Sequence, residues 1–189
     1  MVLAGEALIH PTATVEDGAV VGPGTRVWHR SHVRADSHVG ADCTIGFSVY
    51  IDTGVVVGDR CKVQNHVSVY QGVALEDDVF VGPGATFTND LYPRASSGEW
   101  EVVPTRIHRG ASVGANATVV CGVEIGAWAM VGAGAVVTAD VPTHALVVGT
   151  PARLHGWVCV CGRLLARVGE ELPETCPNCG RAAPRVVPS

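Results

Sequence analysis

The sequence predicts an all-β fold, a parallel β-helix of six to seven coils, and three observations carry that prediction. Hydrophobic residues form 47% of the 189 residues but aromatic residues only 5%. A core of small, mostly β-branched side chains favours strands over helices. An aliphatic residue recurs every six positions, and a small residue follows it four positions later.

The hexad series starts at Ile9, reaches Phe87 in steps of six, and resumes from Ile107 to Val137. All twenty residues of the series are hydrophobic, and nineteen are followed four positions later by Ala, Ser, Thr, Cys or Val. The exception is Leu91, where the series breaks. Each hexad therefore predicts one short strand and one tight turn. Three hexads make a coil of 18 residues, and coils stack at about 4.8 Å like the units of a solenoid.

Residues 18 apart are expected to stack on one corner of this coil. Positions 28, 46, 64 and 82 share one corner, and positions 34, 52, 70 and 88 share the next. Where such turns usually carry glycine or an acid, these corners carry Trp28, Gln64, Arg34 and Tyr70. The clustering predicts a ligand surface on two neighbouring corners. The alternative is that solvent-facing corners tolerate any residue.

The hexad series is interrupted between Phe87 and Ile107, whose separation of 20 is not a multiple of six. The interruption predicts a loop that leaves the coil from the second corner. Long loops on rigid scaffolds often carry function, although a tolerated insertion is the alternative. Its polar and aromatic side chains are Asn89, Asp90, Tyr92, Arg94, Trp100 and Arg106.

Composition argues against several classes of protein. A net charge of −5 disfavours a general nucleic-acid-binding surface. The sequence contains no run of 18 apolar residues and therefore predicts no membrane span, and its N-terminal segment lacks the pattern of a secretory signal. We therefore expect a cytoplasmic protein, in which cysteines are thiols or metal ligands rather than disulfides.

The repeat stops after Trp157, which divides the chain into a β-helix domain, 1–157, and a cysteine-rich tail, 158–189. Two close cysteine pairs, Cys159/Cys161 and Cys176/Cys179, resemble the Cys₄ ligands of a zinc ribbon, although the first pair has one spacer residue instead of two. Four ligands leave no open position, so a zinc ion there would be structural. Reduced or disulfide-linked thiols are the alternative. Cys43 and Cys61 fall at small inward positions and are expected in the core.

Longer motifs resemble a known family. They are RVWHRSHV (26–33), KVQNHVSVYQGVALEDDVFVGPGATFTNDLYPR (62–94), GASVGANATVVCGVEIG (110–126) and HALVVGTPARLHGW (144–157). Over residues 9–157 the chain resembles hexapeptide-repeat acyltransferases, which are left-handed parallel β-helices. It is most similar to the sugar N-acetyltransferases that act on UDP-2-acetamido-3-amino-2,3-dideoxy-glucuronate. The same family includes enzymes for dTDP-linked 3-amino-3,6-dideoxyhexoses.

The resemblance implies a left-handed coil and an acetyl-CoA-dependent N-acetyltransferase for cell-surface polysaccharide biosynthesis, such as that of lipopolysaccharide. It also implies a homotrimer with acetyl-CoA between neighbouring prisms. Stacked small corners would let the extended pantetheine arm approach backbone amides, although ordinary turn chemistry explains the same residues. An arginine after the last coil could meet a CoA phosphate. The candidate cofactor-binding residues are Gly114, Ala115, Gly132, Ala133 and Arg153.

Amide formation requires a neutral amine, a thioester and stabilisation of the oxyanion. An amine with a pKa of about 7.7–8.0 is partly neutral in the cell, so a general base gives limited help. His66 is the candidate base, although several relatives carry asparagine there. Asn65 and Asn89 are candidates to orient the substrate or polarise a carbonyl. The candidate substrate-binding residues are Trp28, His29, Arg34, Gln64, Tyr70, Glu76, Asp90, Tyr92 and Arg94.

Two other functions remain open, namely O-acetylation of another small acceptor and non-catalytic binding or assembly. The loop and the polar corners favour an enzyme. Some left-handed β-helices are zinc carbonic anhydrases, whose pattern includes two histidines five residues apart. No two histidines of this chain have that separation, which disfavours this function.

Overall fold

The computed structural model describes residues 6–96 and 101–185. Within these ranges the chain forms strands and turns but no helix, and none of the described residues form a helix that could cross a membrane. Most strands are two residues long, and each hexad of the repeat contains one strand. The strands wind into a parallel β-solenoid with three faces, which confirms the predicted fold class.

The three faces are three parallel sheets. Face 1 contains Leu8–Ile9, Arg26–Val27, Thr44–Ile45, Lys62–Val63, Phe80–Val81, Ser112–Val113, Met130–Val131 and Ala145–Val148. Face 2 contains Thr14–Val15, His32–Val33, Tyr50–Ile51, Ser68–Val69, Thr86–Phe87, Thr118–Val119 and Val136–Val137. Face 3 contains Val20–Val21, His38–Val39, Val56–Val57, Val73–Leu75, Thr105–Ile107 and Glu124–Ile125.

Three corners join the faces, and each takes its name from the order of the chain. Corner 1 follows face 1 and contains residues 28–30, 46–48, 64–66, 82–84, 114–116 and 132–134. Corner 2 follows face 2 and contains residues 16–18, 34–36, 52–54, 70–72, 88–96, 101–104 and 120–122. Corner 3 follows face 3 and contains residues 40–42, 58–60, 76–78, 108–110 and 126–128.

The core is the column of inward aliphatic side chains. From Val27 to Val137, every member of the hexad series is at most 1% exposed. Ile9, on the first coil, is 39% exposed because only one neighbouring coil covers it among the described residues. Cys43 and Cys61 lie in the core, as predicted, at 1% and 0% exposure.

Side chains of the turns connect each coil to the next. The Phe47 amide donates to Asn65 Oδ1 at 2.9 Å on corner 1. The Asp59 amide donates to Asp77 Oδ1 at 2.9 Å on corner 3. Because each bond satisfies a turn N–H that the strands leave unpaired, asparagine and aspartate at this turn position stabilise the stack.

The loop leaves the solenoid at corner 2, as predicted, between Thr86–Phe87 and Thr105–Ile107. At its base, the Val103 amide donates to the Asn89 carbonyl at 3.0 Å, and Asn89 Nδ2 donates to the Gln71 carbonyl at 3.2 Å. Leu91 is exposed in this loop, which explains its exception to the small-residue rule. The predicted loop residue Trp100 lies outside the described residues.

The solenoid continues beyond the last hexad to about eight turns, slightly more than predicted. Val141 bridges Ile125 on face 3, and Ala145–Val148 adds a parallel strand to face 1. Arg153–Val158 and Leu164–Arg167 then extend face 1 in antiparallel order. The domain boundary predicted at residue 157 stays a prediction, and the strand Arg153–Val158 crosses it.

Candidate functional site

Corner 1 brings together most of the candidate catalytic and cofactor-binding residues. The strands that precede them pair in register on face 1, so Gln64 and Asn65 stack in columns with the cofactor candidates, and His66 lies in the adjacent column. The cofactor candidates lie two and three coils further along the same corner. They are Gly114, Ala115, Gly132 and Ala133.

His66 lies in the left-handed backbone region with φ of 60° and is exposed. Its imidazole packs edge-on against the Phe47 ring, with the ring centroids 5.1 Å apart. Arg30 Cζ lies 5.9 Å from the centroid of the same Phe47 ring. Neighbouring Asn65 uses Oδ1 to accept the Phe47 amide, so this oxygen has a structural partner.

The first coils of corner 1 carry a stack of aromatic rings. The His29 ring stacks on His10 with a centroid distance of 3.6 Å, and Trp28 lies 6.1 Å from His29. Trp28 is 37% exposed. These planar, accessible rings offer a surface on which a flat ligand group can stack.

Corner 2 holds the candidates Arg34 and Tyr70. Arg34 Nη1 donates to Asp52 Oδ1 at 3.2 Å and to the Tyr50 hydroxyl at 3.3 Å. Burial alone would raise the pKa of Asp52, but the backbone N–H groups of Thr53 and Gln71 hold it below its usual range. Tyr70 lies 6.1 Å from the Tyr50 ring and is 37% exposed.

Face 2 and the adjoining corner 2 also carry Glu16, His32 and Tyr50, which the sequence reasoning did not identify as site residues. His32 Nε2 lies 2.6 Å from Glu16 Oε1, and the His32 ring meets the Tyr50 ring edge-on at 5.8 Å. A signal existed in the sequence, since Glu16, Arg34, Asp52 and Tyr70 follow one another at 18-residue intervals. We call this surface the polar zone, and it consists of Glu16, His32, Arg34, Tyr50, Asp52 and Tyr70.

Further along face 2 the outward side chains become small. This small-residue zone consists of Thr86, Thr118 and Val136 with the adjoining corner-1 residues 82–84, 114–116 and 132–134. A Cβ atom on Gly114 would lie 2.5 Å from the Ala133 nitrogen, so packing between coils itself requires glycine at this position. The cofactor role of Gly114 therefore stays a prediction.

The loop candidates lie beside the point where the two zones meet. Asp90 Oδ1 accepts the Tyr92 amide at 2.8 Å, and Arg94 Nη1 donates to the Pro93 carbonyl at 2.8 Å. Tyr92 is 82% exposed. Asn89 lies at the base of the loop.

Glu76 lies on corner 3, away from the other candidates. Its Oε1 is 3.0 Å from His108 Nδ1, and its Oε2 accepts the Arg109 amide at 3.0 Å. Two adjoining grooves, of about 440 and 560 Å³, run along face 3 and share Ala74 and Arg106 in their linings. These grooves do not adjoin His66, which lies on the opposite corner.

Arg153 begins the strand after the last coil and is exposed. Its Nη1 donates to the Ala152 carbonyl at 2.9 Å, and it has no carboxylate partner among the described residues. The structure therefore leaves this guanidinium available to an anionic group.

The four tail cysteines form a compact cluster. Their sulfur atoms all lie within 4.8 Å of one another, with Cys159–Cys179 at 3.6 Å and Cys161–Cys176 at 3.7 Å. Tetrahedral zinc with Zn–S bonds of about 2.3 Å places its sulfurs about 3.8 Å apart, so the cluster fits a metal ion. The Arg163 backbone N–H is the main cause that lowers the pKa of Cys161 to about 6.

The tail lies against corner 3. The Val158 amide donates to the His144 carbonyl at 2.8 Å, and His144 Nδ1 lies 2.9 Å from the Val158 carbonyl. A cavity of about 250 Å³ between tail and solenoid is lined by Asp78, Trp128, Cys159, Cys161 and neighbouring residues.

Two family models match the repeats. One describes a bacterial transferase hexapeptide (six repeats) and matches residues 104–139. The other describes a hexapeptide repeat of succinyl-transferase and matches residues 38–71.

Curated relatives include two kinds of acetyltransferase. The chain is 56% identical over 57 residues to a dTDP-3-amino-3,6-dideoxy-alpha-D-galactopyranose 3-N-acetyltransferase of Aneurinibacillus thermoaerophilus, covering 30% of each protein. It is 34% identical over 104 residues to a serine acetyltransferase of Escherichia coli K12, covering 55% of this chain and 32% of that enzyme. The chain thus spans about a third of the length of these relatives.

Among solved structures, the chain is similar to the acetyltransferase domain of PglB from Neisseria gonorrhoeae in complex with acetyl coenzyme A. The TM-score is 0.53 at 27% identity, covering 79% of this chain and 57% of that one. The likeness spans most of the solenoid.

Proposed function

This chain is a hexapeptide-repeat protein whose repeats match transferase models, and from that premise we propose that it transfers the acetyl group of acetyl-CoA to the amino group of a nucleotide-linked sugar. One observation carries the proposal, namely the polar zone and the small-residue zone that lie in line on face 2. His66 lies on the last coil before the small-residue zone. The proposal is supported by a relative named as an amino-sugar N-acetyltransferase and by a similar acetyltransferase domain whose structure contains acetyl coenzyme A.

The two zones suit the two substrates. The small-residue zone accepts the extended pantetheine arm, because little side-chain bulk keeps a ligand away from the backbone there. Arg153 is placed to meet a CoA phosphate. The polar zone offers hydrogen bonds for the acceptor sugar, and the exposed ring of Trp28 offers a stacking surface for a nucleobase.

In the reaction, the amine nitrogen attacks the thioester carbonyl carbon, so that a C–N bond forms and the C–S bond breaks. CoA leaves as the thiol after gaining a proton, and the amine loses one. His66 is positioned as the base that removes the amine proton. Asn65 is the candidate beside His66 to polarise the carbonyl through Nδ2, because its Oδ1 accepts the Phe47 amide. Asn89 lies on corner 2, away from His66 in the same chain, and its Nδ2 donates to the Gln71 carbonyl.

The test is a panel of acceptors with acetyl-CoA, followed by release of the CoA thiol. We expect turnover with a UDP-3-amino-uronate or a dTDP-3-amino-hexose and none with the corresponding sugar that has a hydroxyl in place of the amine. The acetyl group should be found on nitrogen by mass spectrometry of the product. Absence of turnover with every amino sugar would contradict the proposal.

A second candidate is O-acetylation of a small acceptor, which the serine acetyltransferase relatives favour. A hydroxyl remains protonated at neutral pH, so its transfer needs a base more strictly than that of an amine. L-serine and sugar hydroxyls in the same panel separate the two functions.

We also propose that three chains assemble with acetyl-CoA between neighbouring prisms. In the single chain, both zones lie on the outside of the solenoid, so a second wall is needed to enclose a ligand. Light scattering should give three times the 19.6 kDa mass of the chain. A monomer mass at assay concentrations would remove the site between chains.

We propose that the four tail cysteines hold a zinc ion. Four thiolates are a common set for structural zinc and leave no open position for catalysis. The ion would stabilise the tail where it lies against His144 and corner 3, outside the chemistry of face 2.

A further inference from the structure

His32 and Glu16 form a histidine–carboxylate pair on the first two coils of the polar zone. His32 Nε2 lies 2.6 Å from Glu16 Oε1. The other carboxylate oxygen of Glu16, Oε2, accepts the Ala35 amide at 2.9 Å, and Arg34 Nε lies 3.5 Å from Oε1. The carboxylate is therefore fixed by backbone and side-chain partners, and it fixes the imidazole in turn.

These contacts determine which nitrogen of neutral His32 carries the proton. The hydrogen bond from the Ala35 amide is the main cause that lowers the pKa of Glu16, so the carboxylate is ionised and can only accept hydrogen bonds. The Nε2 atom must then be the donor. In the neutral ring, the lone pair is consequently on Nδ1.

The other polar atoms around His32 are already engaged. The Tyr50 hydroxyl donates to Asp52 Oδ1 at 3.1 Å and accepts from Arg34 Nη1 at 3.3 Å. Within the described ranges, Nδ1 of His32 has no hydrogen-bond partner, and the side chain is 40% exposed. The polar zone thus contains one oriented acceptor that the protein does not use.

We propose that His32 binds the acceptor, and that its Nδ1 accepts a hydrogen bond from a hydroxyl group of the bound sugar nucleotide. The inference rests on the proposed function and adds a specific contact to it. Glu16 acts through His32, because it holds the ring and fixes its tautomer. The hydroxyl belongs either to the acceptor sugar or to the ribose of the nucleotide.

Three substitutions separate the acceptor atom from the bulk of the ring. His32→Asn keeps a polar atom near the position of Nδ1, whereas His32→Gln reaches the position of Nε2 and keeps only the contact with Glu16. Glu16→Gln must keep its oxygen towards the Ala35 amide. Its NH₂ group then faces His32 Nε2 as a donor, which moves the ring proton to Nδ1 and removes the acceptor.

We expect His32→Gln and Glu16→Gln to raise the Michaelis constant for the sugar nucleotide about 5–30-fold, the effect of leaving one hydrogen-bonding group unpaired. The His32→Asn variant should show a smaller rise. The turnover number and the Michaelis constant for acetyl-CoA should stay within about twofold, because the contact is the same in ground and transition states. The matched control is His38→Asn, since His38 is the exposed outward histidine on face 3 of the same coil.

Two further arms identify the hydroxyl and keep the inference separate from the proposed function. If the Michaelis constant of the variants rises equally with an amino-sugar 1-phosphate, the hydroxyl belongs to the sugar. If the constant rises only with the complete sugar nucleotide, the hydroxyl belongs to the ribose. Calorimetric binding of the sugar nucleotide without acetyl-CoA measures the His32 contact even if no acetyl transfer occurs. The inference would be overturned by equal losses of affinity for the sugar nucleotide in His32→Asn and His32→Gln, or by unchanged affinity in Glu16→Gln. Acetyl transfer by the parent protein would still uphold the proposed function in either case.

Discussion

Replacement of His66 by alanine should lower the turnover number for acetyl transfer by about 10²–10⁴-fold, the range typical of the loss of a general base. The Michaelis constants should change little, because the proton moves mainly in the transition state. Raising the pH should partly restore the rate, since a larger fraction of an amine with a pKa of about 7.7–8.0 is then neutral. Steady-state release of the CoA thiol at several pH values measures both effects.

Two other substitutions at His66 separate its chemistry from its place in the turn. His66 has φ of 60°, a conformation in which alanine is strained, whereas glycine occupies the equivalent turn position at Gly84. His66→Gly should therefore lose as much turnover as the alanine variant without strain in the turn. The His66→Asn variant keeps a hydrogen-bonding side chain that cannot take up a proton near neutral pH, and full activity at neutral pH in that variant would disprove the general base.

Substitution of Cys176 by serine should abolish zinc binding, from one ion per chain to none. Structural zinc contributes about 10–16 kcal/mol in zinc-finger peptides, so the tail should lose its fold. The amides of Cys159, Gly162 and Gly180, which donate within the tail, should exchange with solvent about 10³-fold faster or more. Elemental analysis and hydrogen exchange measure these two outcomes.

The matched control is Cys121→Ser, because Cys121 is a buried cysteine at corner 2, outside the tail cluster. That variant should keep one zinc ion and the protected tail amides. Parent protein without zinc, in which all four tail thiols react with a thiol reagent, would rule out the metal site.

The sequence predicted the scaffold well because one side chain per hexad decides the position of the backbone. Val27, Ile45 and Val63 point inward from consecutive coils as the period requires, and the register of face 1 places Gln64, two residues before His66, in line with Gly114 and Gly132. The last turn could not be read from the period, because Val141 follows Val137 at an interval other than six. Val141 bridges Ile125 and Val147 pairs with Val131, so the last turn is held by a spacing that differs from that of the other coils.

The site was less predictable, for two physical reasons. Glu76 was grouped with the substrate-binding residues by its chemistry, whereas the 18-residue spacing places it on corner 3 with Gly58. The Glu16–His32 pair depends on side-chain rotamers across adjacent coils, which a repeat does not encode.

The insertion at residues 88–104 has an evolutionary consequence. Thr86 pairs with Thr118, 32 residues later, in the same parallel register that joins strands 18 residues apart elsewhere. Sequence can therefore be gained or lost at this corner without any change in the spacing of the coils. Natural selection can diversify the loop while the inherited framework stays constant, so that the chemistry of the loop and the folding of the solenoid can evolve independently.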